Sequence, residues 1–573
     1  MVKEWIEIEL SMFSAVLLLV LGRVITVEEA FSGFSNEGML TIGLMFILAG
    51  SLYYSGLISH LSVFIFGRNG SSSIYKMMRI LFPVAGISAF MNNTPIVAVL
   101  IPALRNWAEQ NRLSLSKFLI PVSYAAILGG MCTLIGTSTN LIIYGLMIDS
   151  GIEGLGMFEM TKIAVPVMLI GLLYILIMRN SLLPERMEYI QDFKEHSREF
   201  VVVLKISDDY KGIGKSIQEA GLRHLQGLFL FQIERKGKII APAAPNEIME
   251  LGDRLFFTGI PKTILELQKT AGLVVMEDEQ FDLKQYDSSQ IRPFEVVISP
   301  SSPLIGKNIR RSNFREKYDA VIIAIHRNGE RIKKKIGDIE LKAGDTLLIL
   351  TKLGFHRRWY NSIDFYLISE SDEVPSKAQW RTFAAPGILI MVILLSALKI
   401  MPILMAEGLG VMILLLTKTI SMEEVRKSID FRVLIIIASA FGLAHGLTNS
   451  GVAEYAANII IEYGSYFGTI GIMISLFITA SVYTNFMTNN AAAAILFPIV
   501  LSMSQQLQIN TRALIIALVL AVSASFSTPI GYQTNLMIYG PGGYRFTDFL
   551  KFGIPLQLIF IIISIALLYL FYL

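Results

Sequence analysis

Apolar residues run along this chain in two long blocks with a polar block between them. Residues 1–183 are apolar with short polar breaks, residues 184–378 are charged and polar, and residues 379–573 are apolar again. Runs such as Ala384–Leu398, Val433–Ala444 and Ile554–Leu573 approach or reach the ~20 residues that cross a bilayer. The pattern predicts spans at Glu9–Ile25, about 38–58, 117–145, 160–178, 383–400, 402–418, 432–448 and 511–540, and one over the C-terminal run. Two further apolar stretches, around Asn92-Asn93 and Asn489-Asn490, read as re-entrant hairpins. In the middle block VVVLKI, LFLFQI, AVIIAI and TLLILT read as strands bounded by glycine-containing turns.

The two apolar blocks are copies of each other. GTSTNLIIYG starts at Gly136 and GYQTNLMIYG at Gly531, an offset of 395, with seven of ten positions identical. At the same offset ITVEEA (from Ile25) faces ISMEEV (from Ile420), and Ser55-Gly56 faces Ser450-Gly451. At an offset of 396, FMNNTPIVAVLIP (from Phe90) faces FMTNNAAAAILFP (from Phe486). Duplicated lipid-facing filler would match in leucine and valine. These landmarks match in Gly, Asn, Thr and Pro, and a membrane protein built of two such halves reads as a transporter.

Composition and charge agree. The hydrophobic fraction is 53% and the charged fraction 17%, too little charge to clothe a soluble chain of this length. The net charge of +3 gives no ground for a nucleic-acid partner. One cysteine, Cys132, excludes an internal disulfide and fits an inner membrane protein. The start, MVKEWIEIEL, lacks the form of a cleaved signal, so Glu9–Ile25 is read as a retained helix. The positive-inside rule puts the N-terminus and the polar insert in the cytoplasm, together with the clusters Arg68, Lys76, Arg79 and Arg105, Arg112, Lys117. Lys418, Arg426, Lys427 and Arg432 then also lie inside, and the C-terminus outside. The halves sit in opposite senses, an inverted repeat. The helix at 383–400 has no counterpart in the first half.

The polar segments carry the chemistry. Gly, Pro, Asn and Thr in CTLIGTSTN (132–140) and STPIGYQTN (527–535) would break helices inside the membrane. A broken helix frees N–H groups, which favour an anion, and carbonyls, which with Asn and Thr side chains favour a small cation. No Asp, Glu, Lys or Arg occurs from Ile80 to Leu104, Phe118 to Ile148, Phe486 to Thr511 or Ala513 to Tyr544. A proton-coupled carrier would need a carboxylate there. His445 and Glu407 read as helix-end or packing residues. No constellation supports an enzyme.

Asn92-Asn93-Thr94 and Thr488-Asn489-Asn490 resemble the Ser-Asn-Thr hairpin tips of the divalent anion/sodium symporter family, keeping the central asparagine and departing at the flanks. Thr528-Pro529 matches the family's Thr-Pro pair, and Thr133-Leu134 keeps the threonine. The closing string GYQTNLMIYGPGGYRFTDFLKFG resembles the sulfate-permease branch. The resemblance implies an α-helical polytopic protein with two re-entrant hairpins, a dimerising scaffold and an elevator-type transport domain. It implies an anion, sulfate first and dicarboxylate second, held by Asn92, Asn93, Thr94, Thr133, Thr488, Asn489, Asn490, Thr528 and Pro529. It implies sodium ions at Asn93, Cys132, Gly136 and Asn140 in one half and at Asn489, Ser527, Gly531 and Asn535 in the other.

The insert is itself a tandem at an offset of 92. IGKSI (from Ile213) faces IGKNI (from Ile305), and Gly214, Gly237 and Gly252 map onto Gly306, Gly329 and Gly344. The units, 184–285 and 286–378, resemble the C-terminal regulatory subdomain of RCK/TrkA proteins. The resemblance implies small α/β cytoplasmic domains and regulation by a small ligand or through homodimer contacts, beside the plainer reading of a domain that stiffens the dimer. No GxGxxG opens either unit, so a Rossmann dinucleotide site has no support. The competing functions are a potassium transporter gated through the insert and a sodium/proton antiporter. PIGYQTN is not a TVGYG-type filter, and no aspartate sits at a broken helix.

Overall fold

A computed structural model describes residues 8–56, 73–111, 113–186, 201–222, 228–240, 243–259, 271–276, 291–299, 302–327, 330–332, 334, 336–352, 355–359, 362, 364–367 and 379–572. Arg68, Arg112 and the end of the 38–58 span lie outside these residues.

The first block holds α1 (Ile8–Leu21), α2 (Val27–Phe31), α3 (Glu37–Tyr54), α4 (Ser73–Ser88), α5 (Asn93–Gln110), α6 (Leu119–Gly130), α7 (Ser138–Asp149) and α8 (Thr161–Leu182). The last block holds α9 (Gln379–Ala397), α10 (Ile403–Leu416), α11 (Met422–Ser428), α12 (Phe431–Asn449), α13 (Val452–Ser465) and α14 (Gly468–Phe486). It continues through α15 (Asn489–Leu507), α16 (Thr511–Ser523), α17 (Gln533–Tyr539) and α18 (Phe546–Tyr572). Six helical stretches among the described residues are long and apolar enough to cross a membrane.

The 395-residue offset recurs in backbone detail. Helix α1 stops where Val24 N–H reaches back to the Leu19 carbonyl and Arg23 turns left-handed at φ 58°. Helix α10 stops where Thr419 N–H reaches the Leu414 carbonyl and Lys418 turns left-handed at φ 55°. Both ends use the Schellman closure that satisfies orphan carbonyls. The next helices open on matching capping boxes, Thr26 with Glu29 and Ser421 with Glu424. Gly56 and Gly451 close α3 and α12 with left-handed turns.

One predicted span is corrected. The helix expected over Glu9–Ile25 is cut at Leu21 by its left-handed turn. Its 14 residues rise about 21 Å, short of the ~30 Å hydrocarbon layer. The spans at 117–145 and 511–540 are each broken, over 131–137 and 524–532, as the Gly, Pro, Asn and Thr of these segments predict. Helix α13 was not expected at all, because Glu454 and Glu462 interrupt its apolar pattern.

The insert forms two five-stranded antiparallel sheets. The first joins β1 (Val201–Ile206), β2 (Leu228–Arg235), β3 (Lys238–Ile240), β4 (Arg254–Gly259) and β5 (Leu273–Val275) in the order β3-β2-β4-β1-β5. The second joins β6 (Ile291–Ile298), β7 (Ala320–Arg327), β8 (Glu330–Arg331), β9 (Thr346–Lys352) and β10 (Phe365–Leu367) in the matching order. Each carries a bulge at the equivalent place, Leu230/Gln232 and Ile322/Ala324. One face of each sheet covers its own loops. The other faces meet, with Val203, Phe231 and Phe256 packed against Val321, Ile323, Leu348 and Leu350.

Each unit is tied by a guanidinium fork. Arg235 donates to both oxygens of Asp253 at 2.9 Å and to the Ile248 carbonyl, and Asp253 also accepts from Glu250 N–H at 2.8 Å. Arg327 treats Asp345 and the Glu340 carbonyl in the same way, and Asp345 accepts from Lys342 N–H. Both aspartates are about 1% exposed. Truncating one strands a guanidinium and a backbone donor, so Asp253→Ala should cost its unit about 2–3 kcal/mol. Asp345→Ala should cost a similar amount, and limited proteolysis across 201–367 during a thermal ramp measures both.

Candidate functional site

Helices α4 and α5 form a hairpin whose tip is residues 89–92, and α14 and α15 form a second with its tip at 487–488. Helix α6 is broken from α7, and α16 from α17. The four pieces converge.

Each break is stapled by one asparagine amide. Asn140 Nδ2 donates to the Thr133 carbonyl at 2.8 Å and to the Gly130 carbonyl at 3.5 Å. Asn535 Nδ2 donates to the Thr528 carbonyl at 3.2 Å and to the Ser525 carbonyl at 2.9 Å. The three pairs of positions correspond at the 395 offset, with Ser525 standing where the first half has Gly130. These bonds satisfy carbonyls that lipid would leave bare.

Each break also grips its own tip. Thr133 donates its hydroxyl to the Ala89 carbonyl, and Thr528 donates to Asn485 Oδ1 at 2.8 Å. Asn93 Oδ1 accepts from Ser88 at 2.5 Å, and Asn489 Oδ1 from Ser525 at 3.2 Å. The tip and break of the first half touch through glycine. A Cβ on Gly130 would stand 2.6 Å from Asn93 Oδ1, and one on Gly136 would overlap the Gly130 carbonyl and stand 2.9 Å from that of Ala89.

The halves then interlock. Asn93 Nδ2 donates to the Tyr532 hydroxyl at 2.6 Å, and Thr94 to Gln533 Oε1 at 3.2 Å. In the other direction Asn490 Oδ1 accepts from Ser138 at 3.2 Å and Thr139 at 2.9 Å. Behind them Ser123 donates to Asn535 Oδ1 at 2.7 Å. The N-terminus of α5 is thus bonded to that of α17, and the N-terminus of α15 to that of α7, all in the long stretches without a charged residue.

Among the predicted residues, Asn93, Thr94, Thr133, Gly136, Asn140, Asn489, Asn490, Thr528, Gly531 and Asn535 come together. Asn92 lies to one side, lining with Ser138 a shallow crevice whose other wall is Ile42 and Met45 of α3. Thr488 is exposed and caps α15 through Ala491 N–H. Ser527 and Pro529 lie in the second break, half-buried and buried. Cys132 turns its thiol to the Leu128 carbonyl, while its own carbonyl accepts from Thr161 at 2.6 Å. Glu407 is fully buried in the second turn of α10, and neither carboxylate oxygen has a hydrogen-bond partner. Of the two readings given for it, helix end or packing, its place inside the helix leaves packing. His445 Nε2 lies 3.1 Å from Asp149 Oδ2.

Sequence reasoning missed Ser88, Ser123, Ser138, Thr139, Ser525, Tyr532 and Gln533. The repeated phrase carried part of the signal, since Thr139-Asn140 and Thr534-Asn535 are its shared polar core. Among the described residues no group of three His, Cys, Asp or Glu could hold a metal. Two buried polar atoms here lack partners, Asn140 Oδ1 and Asn489 Nδ2. The Asn140 amide is fixed in sense, because both groups opposite its nitrogen are carbonyls.

A chain whose two helical membrane blocks each set a broken helix against a hairpin tip has the build of a solute transporter. Comparison supplies the family. The citrate transporter (CitMHS) family model matches residues 1–522 and 472–573, and the chain belongs to that family. It is 34% identical over 582 residues to a Chlamydomonas reinhardtii protein described as "putative sulfur deprivation response regulator", covering 100% of this chain and 99% of that one. It is 31% identical to an uncharacterized transporter of Synechocystis, over 97% of this chain and 92% of the relative. It is 24% identical to sodium/sulfate cotransporter 1 of Chlamydomonas reinhardtii, over 98% of this chain and 87% of the relative. The chain is thus a multi-pass membrane protein of a transporter family.

The two breaks differ in tolerance. A Cβ on Gly136 overlaps backbone, whereas one on Gly531 comes nearest to the Thr528 hydroxyl at 3.0 Å and stands 3.5 Å from the closest backbone atom, the Thr484 carbonyl oxygen. Gly136→Ala should cost about 1–3 kcal/mol and lower the melting temperature of the purified protein. Gly531→Ala should leave that temperature nearly unchanged.

Proposed function

We propose that this protein is a secondary active symporter that couples sodium to a divalent anion, with sulfate first and dicarboxylate second. The observation that carries the reading is that helix N-termini meet across the halves, α5 with α17 and α15 with α7, where no Lys or Arg is near in sequence. Each N-terminus is equivalent to roughly half a positive charge. Those of the longer helices α5, α7 and α15, turned on one dianion, would together offset about 1.5 of its charges, and a co-bound cation would supply the remainder. Neutral donors then orient the anion, from Asn93, Thr94, Asn489, Asn490 and the neighbouring hydroxyls.

Asn140 Oδ1 supports the cation. A buried acceptor without a donor calls for a partner, and sodium beside the stapled carbonyls of Gly130 and Thr133 fits its chemistry. Gly136 with Asn93, and Gly531, Ser527 and Asn535 with Asn489, are the remaining proposed sodium positions, with Cys132 contributing backbone only. Relatives named as sodium/sulfate cotransporters, and a family named for citrate, support an oxyanion of this class. We read the hairpins as re-entrant, the crevice beside α3 as the sliding surface of an elevator in a homodimer, and the insert as cytoplasmic and regulatory.

Proteoliposome uptake of radiolabelled sulfate tests this. An inward sodium gradient should drive uptake, and excess succinate should compete. Asn93→Ala and Asn489→Ala should each lower uptake at least about tenfold, ~1.4 kcal/mol, with normal yields of folded protein. Uptake indifferent to sodium, or full activity in either variant, would overturn the assignment.

A further inference from the structure

We propose that the second α/β unit is a clamp that grips α5 and α17 at their ends away from the site, so that the position of the insert acts on the first hairpin tip. At the site these two helices are already joined, Asn93 to Tyr532 and Thr94 to Gln533. Arg105 lies 12 residues along α5 from Asn93, about 18 Å at the helical rise. There it meets Glu295 of β6 at 2.8 Å, with side chains 4% and 1% exposed. At the end of α17 the Thr346 side chain of β9 sits where a Cβ on Gly540 would be, and a Cβ on Gly344 would stand 3.0 Å from Leu536 Cδ1. Val297 is buried in the same apolar cluster as the membrane helices.

The two grips are held at fixed spacing. Glu295 and Val297 share β6, and Val297 pairs directly with Thr346 across the ladder. The contacts therefore close a ring from the tip along α5, through two adjacent strands, and back along α17 to the tip. Separating the two helices at the site while both remain on the same sheet requires one of them to tilt or bend against these grips. By reciprocity, a site that tightens also pulls the unit tighter.

The duplications show that the grip is specific. At the place of Glu295 the first unit has Val203, and at the place of Thr346 it has Arg254. Its equivalent glycine, Gly252, has open space around it, and Leu251 beside it is 54% exposed. The second membrane half has Leu501 at the place of Arg105. An ion pair this dry also suits a contact that opens. Desolvation offsets most of its Coulomb gain, and undocking returns both charges to water. An apolar pair would hold the unit and the helix together without that release.

Hydrogen exchange of the full-length protein in nanodiscs, without any transported solute, tests the clamp independently of the proposed function. Glu295→Val leaves the Arg105 charge without this partner. Amides of 93–110 and 533–539 should then exchange faster together, by at least about fivefold, while the matched helices 489–507 and 138–149 keep their rates. The double variant Arg105→Leu/Glu295→Val, which uses the residues of the other copies, should restore protection. Unchanged exchange at 533–539, or equal acceleration of all four helices, would overturn the proposal. Should Glu295→Val fail to fold, Gly540→Ala forces the same interface apart from the other side, and Thr346→Ala added to it should restore protection. Failure of that rescue counts against the clamp equally.

Discussion

Everything near the centre of this molecule depends on one constraint. A helix that breaks inside a membrane must find partners within the protein for the carbonyls it uncovers. Asn140 and Asn535 meet that demand in the same way, each with one amide across two carbonyls of the break before it. Because the staple occupies the loop, the hairpin tip can reach it only where side chains are small. Hence Gly130 lies beside Asn93 and Gly136 against Gly130 and Ala89, and Ser525 and Gly531 stand at the same places in the other half. The recurring phrase from Gly136 and from Gly531 is the local sequence that a stapled break requires.

The interlock of the halves follows from that arrangement. Each tip bonds to its own break and to the start of the opposite half's second segment. Displacing one tip therefore disturbs both halves. The region is polar without being charged, and dipoles and amides supply its field. The insert adds a third body on the same helices, joined through a buried ion pair and a close glycine contact.

Much of the fold was legible in the sequence. The 395 offset, the breaks in 131–137 and 524–532 and the strand-rich insert could all be read from glycine, asparagine and apolar spacing. What could not be read were features set by neighbours. The stop of α1 at Leu21 depends on a left-handed Arg23 in an otherwise apolar run. Helix α13 is hidden because its glutamates spoil the pattern on one face. Asn93, Asn140, Asn489 and Asn535 were found because asparagine is conspicuous in apolar sequence. Tyr532, Gln533 and Ser123 were not, because only the crossing of the halves brings them to the site. The Arg105–Glu295 contact joins residues 190 apart in sequence, and no periodicity announces it.

The tandem insert carries its own control experiment. The turn around Gly252 and the turn around Gly344 share backbone conformation, guanidinium fork and strand order, yet one is open to water and the other is covered by the membrane helices. Any substitution made in both turns is thus measured twice in one polypeptide, under the same solvent, lipid and temperature. The difference between the two is the thermodynamic worth of being covered, a quantity that in most proteins can be reached only by comparing separate molecules.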